Sequence, residues 1–282
     1  MYLRLYSVAA GLGLAWSVGA CSSSQDGPQP AGAEHLALGN PSGATADLSQ
    51  PTNYLLVKPQ FVVGYNALRG TPTWVSWHLD ASWRGSAARQ DDFRPDEDLP
   101  AGWYRVGGGS YSGSGFDRGH QCPSADRTRS VEDNSATFLM TNMVPQAPRL
   151  NQQTWANLEE YCRTLAGQGN ELYLICGAYG RGGSGANGPA TTLDQGRVTV
   201  PARCWKVVVV LPTGTNDAVR VTGSTRVIAV DVPNTNDVDA AWGRYRVSVD
   251  AIEQATGLDL LSAVPPAAQQ AVEAQVDKGP VQ

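Results

Sequence analysis

The sequence of 282 residues has little lysine, little histidine and no long apolar run after its first twenty residues. Of its 21 basic residues, three are lysines (Lys58, Lys206 and Lys278) and the other eighteen are arginines. The formal net charge of -5 argues against binding polyanions through overall charge, although a local basic cleft stays open. Arginine forks match phosphate oxygens bidentately, but the arginine bias can equally reflect genomic base composition.

The composition does not suit a disordered chain. Hydrophobic residues make up 41% and charged residues 17% of the sequence, so a sizeable core can form. The length suits one large domain or two small ones.

The N-terminus has the layout of a secretory signal peptide over residues 1–20, with Arg4, an apolar run and then small residues. Cys21 follows Val-Gly-Ala and resembles the lipidated cysteine of a bacterial lipobox, with ordinary secretion as the alternative. We therefore expect a signal peptide over 1–20, a lipidated Cys21 with a flexible tether over 21–51, a folded domain over 52–265 and a polar tail over 266–282. The protein is expected to be exported, either as a lipoprotein of the cell envelope (outer membrane or periplasm) or in secreted form.

The remaining cysteines allow two disulfide bonds in an exported chain. No pair has the C-x-x-C spacing, which argues against a structural zinc site. Cys176 and Cys204 both lie in strand-like runs that could be neighbours, so this pair is favoured. The alternative is four buried free thiols, at Cys122, Cys162, Cys176 and Cys204.

The pattern of apolar residues predicts an α+β domain in which strands flank a central helical region. The predicted helix covers residues 151–165, and a second one lies near 249–255. The Gly-rich residues 181–196 are expected to form a loop. β-branched and aromatic runs predict strands at 54–57, 61–68, 73–79, 171–178, 197–200, 204–211 and 226–230.

The three histidines have different surroundings. His35 lies in the expected tether and needs no role, and His78 alternates with Trp74 on a strand, which predicts a hydrogen-bonded structural role. His120 ends the run Asp-Arg-Gly-His at 117–120, directly after the Gly-rich residues 107–115. Such a backbone can present an imidazole to a cleft, although the four-residue run alone would occur by chance in many proteins.

Two further segments add polar groups downstream of His120. One is Thr-Asn-Met-Val-Pro-Gln at 141–146, and the other is the start of the predicted helix. At 100° per residue, Asn151, Glu159 and Arg163 form one polar flank of that helix. Amide and carboxylate oxygens suit Mg²⁺; the alternative is an N-capping Asn151 and a surface Glu159–Arg163 pair.

These three segments together resemble the DNA/RNA non-specific endonucleases, the ββα-metal group of Serratia-type nuclease and endonuclease G, and most closely their cyanobacterial sugar-non-specific members. The similarity runs in order from about residue 53 to 261. It implies an antiparallel sheet core with a ββα-metal finger as the active site.

The resemblance also implies roles for individual residues. His120 matches the general base, Asn151 the direct protein ligand of Mg²⁺ (with Mn²⁺ as a substitute), and Glu159 the residue that orients metal-bound water. Arg89 matches the arginine that contacts the scissile phosphate. The implied supporting residues are Asp117, Arg118, Asn142 and Arg163.

The implied activity is hydrolysis of single- and double-stranded DNA and RNA to 5′-phosphate and 3′-hydroxyl ends, with a protein inhibitor as a further conceivable partner. Three other functions compete with nucleic-acid hydrolysis. They are an inactive relative that only binds nucleic acid, a phosphatase or phosphodiesterase of small esters, and a purely structural lipoprotein. The first is disfavoured because every residue that matches a role is present. The second is disfavoured because the set lacks the carboxylate cluster of two-metal enzymes, and the third leaves the ordered motifs unexplained.

Overall fold

The computed structural model describes Met1 and residues 32–281. The expected signal peptide, the expected lipidation at Cys21 and the first part of the expected tether lie outside the described residues. No helix among the described residues is both long enough and apolar enough to cross a bilayer.

A seven-stranded sheet forms the centre of the molecule, and every pairing within it is antiparallel. The strand order is β1-β2-β3-β6-β11-β12-β13. The three middle strands are almost wholly buried because both faces of the sheet are covered, which agrees with their nearly continuous apolar sequences. The strands are β1 Tyr54–Val57, β2 Val62–Asn66, β3 Thr71–Leu79, β6 Asn170–Tyr179, β11 Arg203–Pro212, β12 Arg226–Pro233 and β13 Arg246–Val247.

Six shorter strands form three two-stranded pairs outside this sheet. The expectation of a plain loop over residues 181–196 is wrong, because short strands form there through backbone hydrogen bonds. Glycine-rich strands carry few apolar side chains, so their sequence shows no alternating apolar pattern that would predict a strand. The pairs are β4 Asp117–His120 with β5 Met143–Gln146, β7 Gly183–Gly185 with β8 Gly188–Ala190, and β9 Thr192–Leu193 with β10 Val198–Thr199.

The helix predicted over residues 151–165 is present, but it begins as a π-helix, Leu150–Trp155, before continuing as an α-helix. It ends at Gly167, close to Gly169, whose φ of 87° is in the left-handed region. The α-helices are α1 Val131–Ala136, α2 Ala156–Gly167, α3 Asp217–Arg220, α4 Val249–Thr256 and α5 Pro266–Glu273.

The two faces of the central sheet bury different layers. On the front face, Trp77, Leu174 and Val208 pack with residues of α2 such as Leu158. The back face is covered by the N-terminal segment together with α4 and α5. Its cluster includes Leu38, Ala44, Trp74, Ile175, Val207, Ile252 and Val272.

The expected boundaries of the folded domain need correction at both ends. Residues 32–51 are not a free tether: Leu38 is buried in the back-face cluster, and Thr45 forms a backbone bridge with Tyr54. His35 is also buried, and its Nε2 lies 2.9 Å from the carbonyl oxygen of Pro59. The expected polar tail contains α5, which buries Val272. The buried side chains of these segments are scattered along the sequence, so they form no regular apolar pattern from which a folded segment could be predicted.

The favoured disulfide between Cys176 and Cys204 is also wrong, since both thiols are free. The two cysteines do lie on neighbouring strands, but Cys204 pairs with Ala178 and Cys176 pairs with Lys206. They are therefore diagonal neighbours, about 7–8 Å apart, whereas a disulfide needs Cβ atoms about 4 Å apart. All four thiols in the described residues are buried and free, as the alternative had it.

Candidate active site

The two strands β4 and β5 and the helix that follows them form a ββα unit on the front of the molecule. Gly119 faces Val144 across the strand pair. A Cβ atom at Gly119 would lie 2.1 Å from Oε1 of Gln146, so only glycine fits this close approach. The unit confirms the ββα architecture that the resemblance implied, and it brings Asp117 close to Asn151.

The imidazole of His120 lies between two aromatic rings. Its centroid is 5.5 Å from that of Phe93 and 4.9 Å from that of Phe138. The Nε2 atom is buried without a hydrogen-bond partner among the described residues. Burial, helped by the positive charges of Arg89 and Arg118, lowers the pKa of His120 to about 3. The ring is therefore neutral at physiological pH and can accept a proton.

Asn151 is held in one orientation by an acidic neighbour. Its Nδ2 donates a hydrogen bond of 2.8 Å to Oδ2 of Asp117, and Nε2 of Gln152 donates to the same oxygen at 2.8 Å. An ionised carboxylate only accepts hydrogen bonds, so the amide nitrogen must face Asp117. The amide oxygen Oδ1 of Asn151 is then the atom left to bind a cation.

A cavity of about 390 Å³ lies beside this pair of residues. Arg89, one of the residues that line it, donates from Nε to Asp91 at 2.7 Å and from an Nη atom to Ser124 Oγ at 2.8 Å. Arg118 donates to the carbonyl oxygen of Gly108 at 3.0 Å. The predicted residues that line the cavity are Arg89, Asp117, Arg118 and Asn151.

Four of the predicted site residues do not line this cavity: His120, Asn142, Glu159 and Arg163. Glu159 Oε1 lies 3.1 Å from Nζ of Lys206, and a guanidinium nitrogen of Arg163 lies 3.2 Å from Oδ1 of Asp126. The single polar flank expected for Asn151, Glu159 and Arg163 stays a prediction, and the π-helical start of the helix alters the angles on which it was based. A π-helix closes i to i+5 hydrogen bonds, so the angles of a regular α-helix do not apply across it.

Asn142 holds together the backbone next to His120. Its Oδ1 accepts from the amide of Cys122 at 2.9 Å, and its Nδ2 donates to the carbonyl oxygens of Cys122 and Thr137 at 2.8 and 2.9 Å. The side chain is fully buried. This geometry agrees with the supporting role that the resemblance implied.

Lys206, the ion-pair partner of Glu159, was not predicted from the sequence. Its side chain is completely buried, and Nζ lies 4.4 Å from the ring centroid of Trp155 and 5.4 Å from that of Trp77. Burial acts to lower the pKa of Lys206, but the neighbouring Glu159 and Asp126 carboxylates, together with the thiols of Cys176 and Cys162, raise it above its ordinary value. A single lysine inside the apolar run at 204–211 was a usable signal, because a buried charge requires a partner.

Two phenylalanines around His120 were missed as well. Phe138 is fully buried, and Phe93 is partly buried at the edge of the cavity. Apolar residues carry no chemical signal in a sequence, so nothing distinguished these two from core residues.

The donors present fit a hard cation such as Mg²⁺. The amide oxygen of Asn151 accepts no hydrogen bond from a described side chain, and Asn151 and Asp117 both line the cavity. Hard oxygen donors, few in number, suit a cation that keeps most of its waters.

Comparison with known proteins gives one answer. The family profile described as "DNA/RNA non-specific endonuclease" matches residues 39–267. The chain is 53% identical over 243 residues to the "Nuclease" of Nostoc sp., which covers 86% of each protein. It is 32% identical over 212 residues to "Nuclease C1" of Cunninghamella echinulata, covering 72% of this chain and 81% of that protein.

A solved structure shares the fold. It is titled "Crystal structure of the EndoG/EndoGI complex: Mechanism of EndoG inhibition", and it aligns with a TM-score of 0.65 over 82% of this chain and 91% of that one. At 22% identity this likeness speaks for the fold alone. The sequence matches go further: the chain belongs to the DNA/RNA non-specific endonuclease family, a family of metal-dependent nucleases, and is a hydrolase that acts on nucleic acids.

Proposed function

We propose that this nuclease hydrolyses internal phosphodiester bonds of both DNA and RNA, in single and double strands, with Mg²⁺ as its metal and His120 as general base. The products would carry 5′-phosphate and 3′-hydroxyl ends. The observation that carries the proposal is the position of the His120 imidazole, which packs against Phe93 at the edge of the cavity that Arg89, Arg118 and Asn151 also line.

His120 would take a proton from the water that attacks the phosphorus. Its low pKa keeps the imidazole unprotonated at neutral pH, and the contacts with Phe93 and Phe138 orient the ring. General base catalysis of this kind contributes about 10²–10⁴-fold to a rate.

Arg89 and Arg118 would bind the phosphate. Each guanidinium lines the cavity, and each is already fixed on its protein side, Arg89 by Asp91 and Ser124 and Arg118 by the Gly108 carbonyl. Fixed cations next to the reacting group stabilise the charge that develops on the phosphoryl oxygens.

Asn151 would hold the Mg²⁺ through Oδ1, with Asp117 fixing the orientation of the amide, and Glu159 would act through water. Mg²⁺ supplies Lewis-acid stabilisation of the phosphate and of the leaving 3′ oxygen. In this structure Glu159 is paired with Lys206, and burial raises its pKa while the Lys206 ammonium opposes that rise.

The absence of sugar preference follows from what these residues offer. Arginine guanidinium groups contact phosphate oxygens, which DNA and RNA share, and contacts to the backbone carry no direct sequence information. Discrimination between the two nucleic acids would need a group that reads the 2′-hydroxyl.

The test is digestion of plasmid DNA and of a defined RNA by the full chain, with Mg²⁺ and with EDTA. The proposal expects Mg²⁺-dependent cutting of both substrates, with ends that a ligase joins directly because they carry 5′-phosphates. Cutting of one substrate only would limit the function to that nucleic acid, and ends with 3′-phosphates would contradict the mechanism.

We also propose that the protein works outside the cytoplasm, on a lipid anchor at Cys21. The proposal is supported by the signal-peptide layout of residues 1–20 and the lipobox-like run that ends at Cys21. Metabolic labelling with a fatty-acid analogue should mark the wild-type protein but not Cys21→Ala. Equal labelling of both, or of neither, would refute the anchor.

A protein inhibitor is a further proposed partner. The structural relative was solved in a complex whose title names inhibition, and this chain shares its fold. Co-purification from the native host with a protein that lowers cleavage activity would support it.

A further inference from the structure

Three aromatic rings contact one another at the active site. The centroids of Phe93 and Phe138 are each within 5.5 Å of the His120 imidazole, and they are 4.9 Å from each other. The planes of Phe138 and His120 are inclined by 87°, and those of Phe93 and His120 by 63°. Edge-to-face contacts of this kind have a preferred geometry, so they restrict how a ring can rotate.

The other two histidines are held differently. A nitrogen of His35 bonds to the carbonyl oxygen of Pro59 at 2.9 Å, and a nitrogen of His78 bonds to Glu171 at 3.1 Å. For His120, in contrast, Nε2 has no hydrogen-bond partner among the described residues. A catalytic base is commonly oriented by a third group through a hydrogen bond. The Nε2 side of the His120 ring is instead held by packing, without a hydrogen bond.

Backbone hydrogen bonds fix the two phenylalanines side by side. The amide of Arg94 donates to the carbonyl oxygen of Phe138 at 3.2 Å, and the amide of Met140 donates to the carbonyl oxygen of Arg94 at 3.0 Å. Arg94 thus joins the loop that carries Phe93 to the segment that carries Phe138. These backbone hydrogen bonds keep the two phenylalanines next to each other.

The same two rings also carry the arginines of the cavity. The guanidinium of Arg118 lies 3.8 Å from the ring centroid of Phe93, and that of Arg89 lies 4.8 Å from the ring centroid of Phe138. A cation over a ring face is attracted by the ring quadrupole. Each phenylalanine therefore contacts the imidazole and one phosphate-binding arginine at once.

We propose that Phe93 and Phe138 are positioning residues of the cleavage reaction, which hold the His120 imidazole and the two arginines in a fixed mutual arrangement. The inference deepens the proposed function and rests on His120 as the base. Loss of either aromatic ring would leave all polar groups in place but release the imidazole and one arginine together.

The test uses Phe93→Leu and Phe138→Leu, with Phe61→Leu as the matched control. Phe61 is as buried as Phe138 and packs in the front-face cluster without a ring contact to His120. We expect kcat on DNA to fall by about 10–100-fold in both test variants, since small misplacements of reacting groups have effects of this size. KM should change little, and Phe61→Leu should keep the wild-type kcat per folded molecule.

A second readout separates positioning from mere loss of packing. Solvent admitted next to His120 should raise its pKa toward the ordinary value of 6.5, because burial is the largest cause of the lowered pKa. Arg89 and Arg118 are the charged groups that face the ring, and both remain in the variants. The acid limb of the kcat profile should therefore move to higher pH in Phe93→Leu and Phe138→Leu but not in Phe61→Leu.

Phe93 is partly exposed, so Phe93→Tyr keeps the ring and tolerates the added hydroxyl, and it should restore activity and the wild-type pH profile. If Phe138→Leu does not fold, the Phe93 pair of variants decides the matter alone. Wild-type kcat in Phe93→Leu, or a loss that Phe93→Tyr does not restore, would overturn the inference. His120→Ala, assayed alongside, separates the failure of the proposed base from the failure of the positioning role. If His120→Ala stays active, the proposed base is wrong. If His120→Ala is inactive while both leucine variants are fully active, only the positioning role is refuted.

Discussion

Both faces of the central sheet bury an apolar cluster, but they differ in the charged groups at the middle of the sheet. At the middle of the back face, Ile175 and Val207 pack against α4 and α5. At the middle of the front face, Lys206 stands on the same strand as Val207 and is paired with Glu159. Burying an ion pair has a large desolvation cost, so it is weak grounds for stability. The middle of the back face thus contributes packing alone, whereas the middle of the front face gives up some stability to hold a buried ion pair.

Removal of Lys206 should have the largest effect on stability. Lys206→Met leaves the Glu159 carboxylate buried without its cation, and this should lower the free energy of unfolding by about 3–5 kcal/mol. On the back face, Val207→Ala should lower it by about 1–3 kcal/mol through loss of packing alone. Urea unfolding curves measure both.

The double variant Lys206→Met/Glu159→Gln serves as the control for the charge argument. It should recover part of the stability lost in Lys206→Met, because it removes the unpaired carboxylate. A double variant less stable than the single one would show that the two residues are not coupled as an ion pair.

Loss of the proposed metal ligand should separate activity from stability. Asn151→Ala is expected to lower kcat by about 10²–10³-fold, the effect typical of losing one preorganised transition-state contact, and to weaken Mn²⁺ binding measured by calorimetry. Its thermal unfolding should stay near that of wild type, since Asn151 is only partly buried.

Asn157→Ala is the matched control on the same helix. Asn157 is exposed and donates to the carbonyl oxygen of Ala240, away from the cavity. Equal losses of activity in the two variants would argue against Asn151 as the metal ligand.

The back face should show a pH dependence of stability that leaves the chemistry unchanged. Burial, reinforced by the negative charges of Glu253, Asp259 and Asp250, raises the pKa of Glu273 from 4.5 to about 7. The folded state then binds more protons than the unfolded state between these values, so stability falls as the pH rises from about 4.5 to 7. The effect should be on the order of 1–3 kcal/mol, and Glu273→Gln should remove it.

Thermal unfolding of wild type and Glu273→Gln at pH 5 and pH 8 tests this expectation. The cleavage rate per folded molecule should be the same in both proteins at each pH. Identical pH dependence of unfolding in the two proteins would place the titrating group elsewhere.

The parts of the structure that follow strong local patterns could be predicted from the sequence. β-branched and aromatic runs marked β3, β6 and β11, because strands that are buried on both faces of a covered sheet are nearly continuous in apolar residues. The family resemblance implied roles for Asp117 and Asn151, which the structure brings into hydrogen-bond contact.

What could not be predicted depends on contacts between distant residues. The π-helix at Leu150–Trp155 is one example, because the apolar pattern of the sequence predicts a regular α-helix there. His35 and Leu38 look like tether residues until the back face that buries them is in place. The cysteine pairing failed because a shift of two residues in strand register separates Cys176 from Cys204.

The most direct test of the account is the cleavage of plasmid DNA in Mg²⁺ by His120→Ala beside wild type, with urea unfolding of both. The account predicts that kcat falls by about 10²–10⁴-fold, while the variant stays folded. Cleavage at the wild-type rate by a folded His120→Ala protein would contradict the assignment of His120 as the general base.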